Sequence, residues 1–468
     1  MVLQPAFMPS TTIFDERRRR YLVWNNVGTI INTHRDDGAS HVEINIKHNN
    51  NTLQHKEDFH DLDRFSMASL SNEGAIFATS PISNTKRSFE MMMTDEKKEE
   101  SEESALGSTV YYHAFAGQKH MQNVNESFRV VLPAGENAQC VAVGKGFLAV
   151  ATSKDVLRIY TSTGMPVEVI SMSGQVVSCV GHDTKLVVVT HVGNTNCMES
   201  ITFDVNWQAG CEICIDAKAA PLPLSRGAKL VWTGFDVDMH TFVALDSHGI
   251  LRNLSRISSG SSGWRWMPVL DVNVAKTEVD MVFWPVTVQK SCLVYVLLHG
   301  SKSKPLVYPL PVVSMVQLRV TIALEVPVPT TMKKSNKSKP KKRNPKQTGD
   351  GAQSLLLQNA RMRHLEATNI EINRLSAAKI ADLPLESGEL EQRLDVQRDN
   401  VDLQLVKNLQ DAIVVGDIPR ALNLCLCMRS METLKIGIRV ANHFEKKLVA
   451  QTLQAILDYK KKQEHYLF

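Results

Sequence analysis

Short apolar runs that alternate with turn chemistry constrain this chain more than any other feature. The sharpest case is Trp232-Thr-Gly-Phe235-Asp-Val-Asp-Met-His-Thr-Phe242-Val-Ala-Leu245-Asp246-Ser-His-Gly249-Ile-Leu-Arg252, followed by Trp264-Arg-Trp266-Met-Pro268-Val-Leu-Asp271. Turn residues recur there about every eight to twelve positions, the spacing of consecutive antiparallel strands in one propeller blade or sandwich. The same pattern holds from Tyr21 to Val326. Examples are Arg129–Leu132, Cys140–Val143, Phe147–Ala151, Val156–Tyr160, Val176–Val180, Lys185–Thr190 and Glu278–Trp284, punctuated by Gly144-Lys-Gly146, Ser162-Thr-Gly164 and Gly193-Asn. Roughly twenty or more strands of this length suit radial repetition of four-stranded blades, because a ring leaves only short edges exposed. The expected fold class is therefore mainly β with α: a six-bladed β-propeller followed by a carboxy-terminal helical bundle.

At 468 residues the chain has room for both parts. The expected boundaries are an amino-terminal segment over 1–20, the propeller over 21–326, a linker over 327–353 and the bundle over 354–468. An acidic insert at about 83–107 interrupts the β pattern. Its centre, Thr94-Asp-Glu-Lys-Lys-Glu-Glu-Ser-Glu-Glu-Ser104, lacks the apolar side chains that would offset the entropy of ordering it. The linker gathers Pro, Ser and a run of lysines with no acid before Asp350. Beyond it the period changes to that of helices. Leu405, Leu409, Ala412 and Ile413 share a face in a helix that ends at Gly416, and Asp417-Ile-Pro419 restarts the next with Asp as cap. Residues 419–429, 431–444 and 446–463 read as further short helices, Ser430 capping the middle one, with short links that favour antiparallel neighbours.

Composition narrows the function classes. A net charge of +4 is too small to mark the whole chain as a nucleic-acid binder, and eight scattered cysteines without a secretory leader fit a reducing, intracellular setting. No apolar run reaches the length of a bilayer crossing, so no membrane partner is expected. There is no phosphate-binding loop, no HExxH and no nucleophile elbow, and the histidines do not cluster; no enzymatic activity, metal or cofactor is expected. Cys211-Glu-Ile-Cys214 has zinc-like spacing but no second ligand pair, and on a strand its two thiols would face opposite ways. Cys425 and Cys427, two apart on a helix, do not converge either.

The Trp232–Asp271 stretch is joined by Tyr21-Leu-Val-Trp24-Asn-Asn-Val-Gly28-Thr-Ile30, Val150-Ala-Thr-Ser153-Lys-Asp-Val-Leu157-Arg-Ile-Tyr160 and Ser178-Cys-Val-Gly181-His182. In the tail stand Val406-Lys-Asn-Leu409, Arg420-Ala-Leu-Asn-Leu424 and Ile438-Arg-Val-Ala441. In this order the segments resemble the replisome adaptor family known as acidic nucleoplasmic DNA-binding protein or chromosome-transmission-fidelity factor, over its carboxy-terminal half with its SepB-like propeller and helical bundle. The resemblance reaches neither the amino-terminal WD40 propeller nor the carboxy-terminal DNA-binding box of the larger members, so the chain is expected to be either a fragment or a minimal version.

The resemblance implies a non-enzymatic, nuclear, homotrimeric hub. It would link the replicative helicase, through a subunit of its accessory complex, to DNA polymerase alpha and other clients, each docking a short amphipathic helix on the bundle. By position, the client groove is expected at Val406 and Gln410 on one helix and at Ile436 and Val440 on another, each pair spaced to share a face. The same spacing also fits ordinary bundle core. In the linker, Lys339-Pro-Lys341-Lys342-Arg343 has the density of a nuclear-import signal; weak DNA contact and a solvated linker are its other readings. Arg17-Arg-Arg-Arg20 reads as a solvated terminal segment. The alternative function is a propeller-plus-helix scaffold of another pathway, such as a coat or ubiquitin-ligase adaptor.

Overall fold

The computed structural model describes residues 3–35, 40–47, 53–80, 107–115, 127–208, 212–256, 264–276, 280–300, 304–318, 372, 375, 387–428 and 430–466. They fall into two compact units, a β unit of Met1–Ser255 with Trp264–Leu318 and a helical unit that takes in Arg319–Phe468. The acidic run and the whole basic linker, with Lys339, Lys341, Lys342 and Arg343, lie outside the described residues, as does Cys211.

The β unit is built from antiparallel meanders. The first joins β1 (Arg19–Trp24), β2 (Gly28–His34), β3 (Ser40–Lys47) and β4 (Leu53–Asp61), and the second β5 (Met67–Leu70), β6 (Gly74–Ala78), β7 (Thr109–Ala114) and β8 (Phe128–Val131). The third joins β9 (Ala138–Val143), β10 (Phe147–Thr152), β11 (Val156–Thr161) and β12 (Pro166–Ser171). The fourth joins β13 (Val176–His182), β14 (Lys185–His191), β15 (Met198–Gln208) and β16 (Glu212–Leu222). A seven-stranded sheet follows, in which a meander of β17 (Leu230–Asp236), β18 (Thr241–Asp246), β19 (Ile250–Arg256) and β20 (Trp264–Asp271) meets a second of β21 (Met281–Gln289), β22 (Cys292–His299) and β23 (Val313–Gln317). A single parallel pair, Asp236 with Val288, joins the two.

Strand position explains the composition of each run. The inner strands β9 and β10, with burial on both faces, are Ala-Gln-Cys-Val-Ala-Val and Phe-Leu-Ala-Val-Ala-Thr, whereas β12 at the outer edge of the same sheet is largely exposed. A strand covered on both sides reads as a continuous apolar run, and an edge strand does not. The first strands of successive meanders, β1, β5, β9, β13, β17 and β21, lie side by side in chain order. Tyr21 and Trp24 of β1 then pack in one cluster with Trp284, Val286 and Val296 of β21 and β22, and the Trp24 and Trp284 rings lie 5.7 Å apart. The sheets thus close into a ring of the propeller type. The hairpin of β15 and β16, eleven residues a strand, is longer than the runs that mark the other strands in the sequence.

One local expectation is overturned in part. The Arg17–Arg20 run is solvated only at Arg17 and Arg18, because β1 begins at Arg19 and draws Arg19 and Arg20 into the sheet. The Asp15 carboxylate accepts the Arg17 and Arg19 amides at 3.0 and 2.7 Å, and Arg20 donates to the Phe65 carbonyl at 3.0 Å with its guanidinium over Phe14. Burial holds the Arg20 pKa below its ordinary value. Arginine stems cover apolar surface while the heads find acceptors or rings, which a count of charges does not anticipate.

The helical unit has four helices in the described tail: α1 (Ser387–Val415), α2 (Ile418–Cys427), α3 (Met431–His443) and α4 (Lys447–Tyr466). Helix α1 packs on α2 and α3, and α4 packs on the same two. They enclose one core containing Leu405, Leu409, Ile413, Leu424, Leu434 and Leu453. None of these helices is long and apolar enough to cross a membrane.

Candidate partner-binding surface

The caps that shape the helical unit are local in sequence. Gly416 takes a left-handed φ of +83°, its amide donates to Ile413 at 3.1 Å, and the Asp417 amide donates to Ala412 at 2.9 Å. These two bonds satisfy the last carbonyls of α1 in a Schellman closure, where a side chain on the glycine would be strained. Asp417 then caps α2, accepting the Arg420 amide at 3.1 Å, with Pro419 in the first turn. Ser430 caps α3 by accepting the Glu432 amide at 3.2 Å.

A buried carboxylate sets how α1 and α3 meet. Asp402, 4% exposed, accepts the Ser430 amide at 2.7 Å and the Thr433 hydroxyl at 3.1 Å, placing negative charge at the positive end of α3. One level on, Gly437 lets the helices approach: a Cβ there would sit 3.1 Å from Leu453 Cδ1 and 3.4 Å from Leu409 Cδ2. Residue numbers rise together along both helices from Asp402 with Thr433 to Leu409 with Gly437. Helices α1 and α3 therefore run parallel, because the short α2 intervenes, and antiparallel packing does not extend to this pair.

This frame brings Val406 and Gln410 level with Ile436 and Val440. Their environments differ. Val406 is buried in the core, Val440 is half-buried against it, Gln410 is exposed and Ile436 is 44% exposed. Val406 and Val440 thus lie in or against the core, whereas Gln410 and Ile436 face solvent. At 100° per residue, Val396, Leu403 and Val414 share the exposed stripe of α1 that carries Gln410, and each is more than half exposed. Sequence reading missed Asp402, whose partners lie about thirty positions away, and missed Leu403 and Val414. Their spacing with Gln410 was the available signal.

The remaining candidates do not gather into a site. Cys425 is buried, which pushes its thiol up to about 11, while Cys427 on the same helix is exposed. Among the described residues no three His, Cys, Asp or Glu side chains come together as metal ligands would.

Fold and surface together define a class: mostly-β proteins built as a propeller-type ring with carboxy-terminal helices. Within that class the chain belongs to the family described as minichromosome loss protein, Mcl1, middle region, which it matches over residues 5–322. It is 26% identical over 326 residues to Protein ENHANCER OF LHP1 1 of Arabidopsis thaliana, covering 69% of this chain and 30% of the relative. It is 28% identical over 257 residues to human WD repeat and HMG-box DNA-binding protein 1, covering 53% of this chain and 19% of that one. With Minichromosome loss protein 1 of Schizosaccharomyces pombe it shares 24% over 307 residues, 64% of this chain and 34% of that one. The chain therefore spans about a third or less of these relatives' lengths. Among solved structures, the β-propeller domain of Myceliophteria thermophila Cps50 (Swd1) matches with a TM-score of 0.32 and 11% identity, covering 59% of this chain and 96% of that chain. A similarity at that level carries no functional argument.

Proposed function

We propose that this protein is a non-enzymatic replisome scaffold: a nuclear homotrimeric hub that links the replicative helicase, through its accessory complex, to DNA polymerase alpha and other clients. Family membership supports the reading, together with relatives whose names speak of minichromosome loss and DNA binding. In this reading the ring is a six-bladed propeller, its last blade made of β21–β23, and the bundle is the docking module. The domain limits are those expected from composition, with the basic linker between the two parts.

In this reading Val406, Gln410, Ile436 and Val440 form a seam between α1 and α3, and the observation that carries the docking role is Ile436, 44% exposed one turn from the half-buried Val440. An amphipathic client helix would set its apolar stripe along this seam, between Gln410 on one lip and Ile436 on the other. One such peptide buries little area and binds weakly alone, so three copies on one hub gain by avidity. Ile436→Glu is the direct test, since an exposed site tolerates the charge. Client-peptide affinity should fall at least about tenfold with the thermal midpoint unchanged; undiminished binding places the groove elsewhere. For the linker, import is the favoured role over DNA contact, and deleting 333–346 should move a tagged protein from nucleus to cytosol. A nuclear signal that survives the deletion removes that role.

A further inference from the structure

Residues 4–12 precede β1, belong to no strand, and touch the inner strands of four sheets of the ring. The Gln4 side-chain amide donates to the Leu230 carbonyl at 2.7 Å and accepts the Leu230 amide at 3.1 Å, the pair of bonds an adjoining strand would supply to β17. The Gln4 carbonyl lies 3.1 Å from Nε2 of the fully buried His191, whose Nδ1 is 3.0 Å from the Thr195 carbonyl. The Phe7 amide donates to Val177 of β13 at 2.9 Å, and the Val141 amide of β9 points at the Met8 sulfur at 3.4 Å. Trp232 donates its indole N–H to Ser10 Oγ at 3.3 Å. At the far end Thr11 donates to the Leu22 carbonyl at 2.8 Å, while Thr12 exchanges bonds with Tyr21 at 2.9 Å.

The apolar contacts follow the same path. Phe7 packs on the cluster shared by β13 and β17, and Met8 on the two clusters that meet at β9. Beside Met8 and Pro9 remains a cavity of about 80 Å³ lined by Trp24, Cys179, His182 and Phe235.

We propose that the centre of the ring is a peptide-binding site for an extended segment carrying a primary amide followed by adjacent aromatic and thioether side chains, and that Gln4–Thr12 is its resident ligand, held in cis. Two features distinguish a ligand from a strand. The segment makes no more than three bonds with any one sheet rather than a ladder, and several of those bonds come from its side chains, as in peptide recognition. It also satisfies buried backbone groups of the ring, the Leu230 amide and the Leu22, Val177 and Leu230 carbonyls, which are costly to leave without a partner. Docking therefore ties β1, β9, β13 and β17 together without being part of any sheet, so the segment leaves and returns with the sheets intact.

The test uses the full chain with a protease site inserted after Ile13, which is 71% exposed. Cutting the folded protein turns residues 1–13 into a non-covalent ligand. A fluorescein-labelled synthetic peptide of residues 3–13 should then exchange into the ring with saturable anisotropy, and excess peptide should raise the thermal midpoint of the cut protein. The same peptide carrying Gln4→Ala and Phe7→Ala should bind at least about tenfold more weakly. Equal binding of the two peptides overturns the site, as does release of the segment with no change in midpoint, or its retention with no exchange over a day. In the uncut chain Phe7→Ala with Met8→Ala should lower the midpoint by roughly 5 °C; an unchanged midpoint also counts against the proposal.

Discussion

At Asp246 one buried carboxylate organises the turn that opens β19. Its Oδ1 accepts the His248 and Ile250 amides at 3.0 Å each, while Oδ2 accepts the Ser225 amide at 3.0 Å and hydroxyl at 2.6 Å and the Arg252 guanidinium at 2.6 Å. Burial alone would raise its pKa, yet Ser225 and Arg252 hold it below the usual carboxylate range. The Asp-Ser-His-Gly spacing announced this turn in the sequence; the partner Ser225, in the link before β17, did not appear there. His182 offers the residue-scale prediction. Burial first, and then the neighbouring His240 ring 4.9 Å away, push its pKa from 6.5 down to about 4. A folded-state pKa below the unfolded one means the contribution to stability is full above pH 6.5 and is lost as pH falls towards 4, because the unfolded chain takes the proton first. The expected loss, reduced for partial exposure, is about 2 kcal/mol. Denaturant midpoints at pH 7 and pH 4.5 should differ by less in His182→Gln than in the parent, and equal differences would exclude His182 as the titrating group.

The element scale separates what is local from what is not. The helix limits at Gly416, Asp417, Pro419 and Ser430 lie where caps were expected, since a cap is a bond between residues two to five positions apart. How the helices meet depends on contacts across about thirty positions. Asp402 is the clearest example, for it caps α3 from the middle of α1. Asp402→Ala should destabilise the helical unit by about 2 kcal/mol, because it strands the Ser430 amide and Thr433 hydroxyl. It should also weaken client-peptide binding by loosening the seam. Urea unfolding followed through helical circular dichroism checks the first part, and a midpoint within error of the parent would show that the carboxylate is not the tie.

For the whole molecule, ring closure brings Trp24 to Trp284, at opposite ends of the β unit, and the 4–12 segment crosses between sheets. Neither is visible in any window of sequence. The proposed hub makes a plain prediction at this scale: light scattering should give a mass near three times 52.2 kDa. A solution monomer would remove the avidity on which weak client peptides depend and would favour a single-copy adaptor.

By itself the sequence determined the strands, the turns and the helix caps, because period-two burial, left-handed glycines and side-chain caps are decided within a few residues. It also carried the family. Tertiary structure alone decided which apolar positions are surface and which are core: Val406 and Ile436 look alike in sequence, but one is buried with Leu409 and its neighbours while the other is 44% exposed. The same holds for Arg19 and Arg20, drawn into β1, and for Gln4, Phe7 and Met8, seated in the ring. Burial is a property of what packs opposite a residue, and the chain brings that partner from far away.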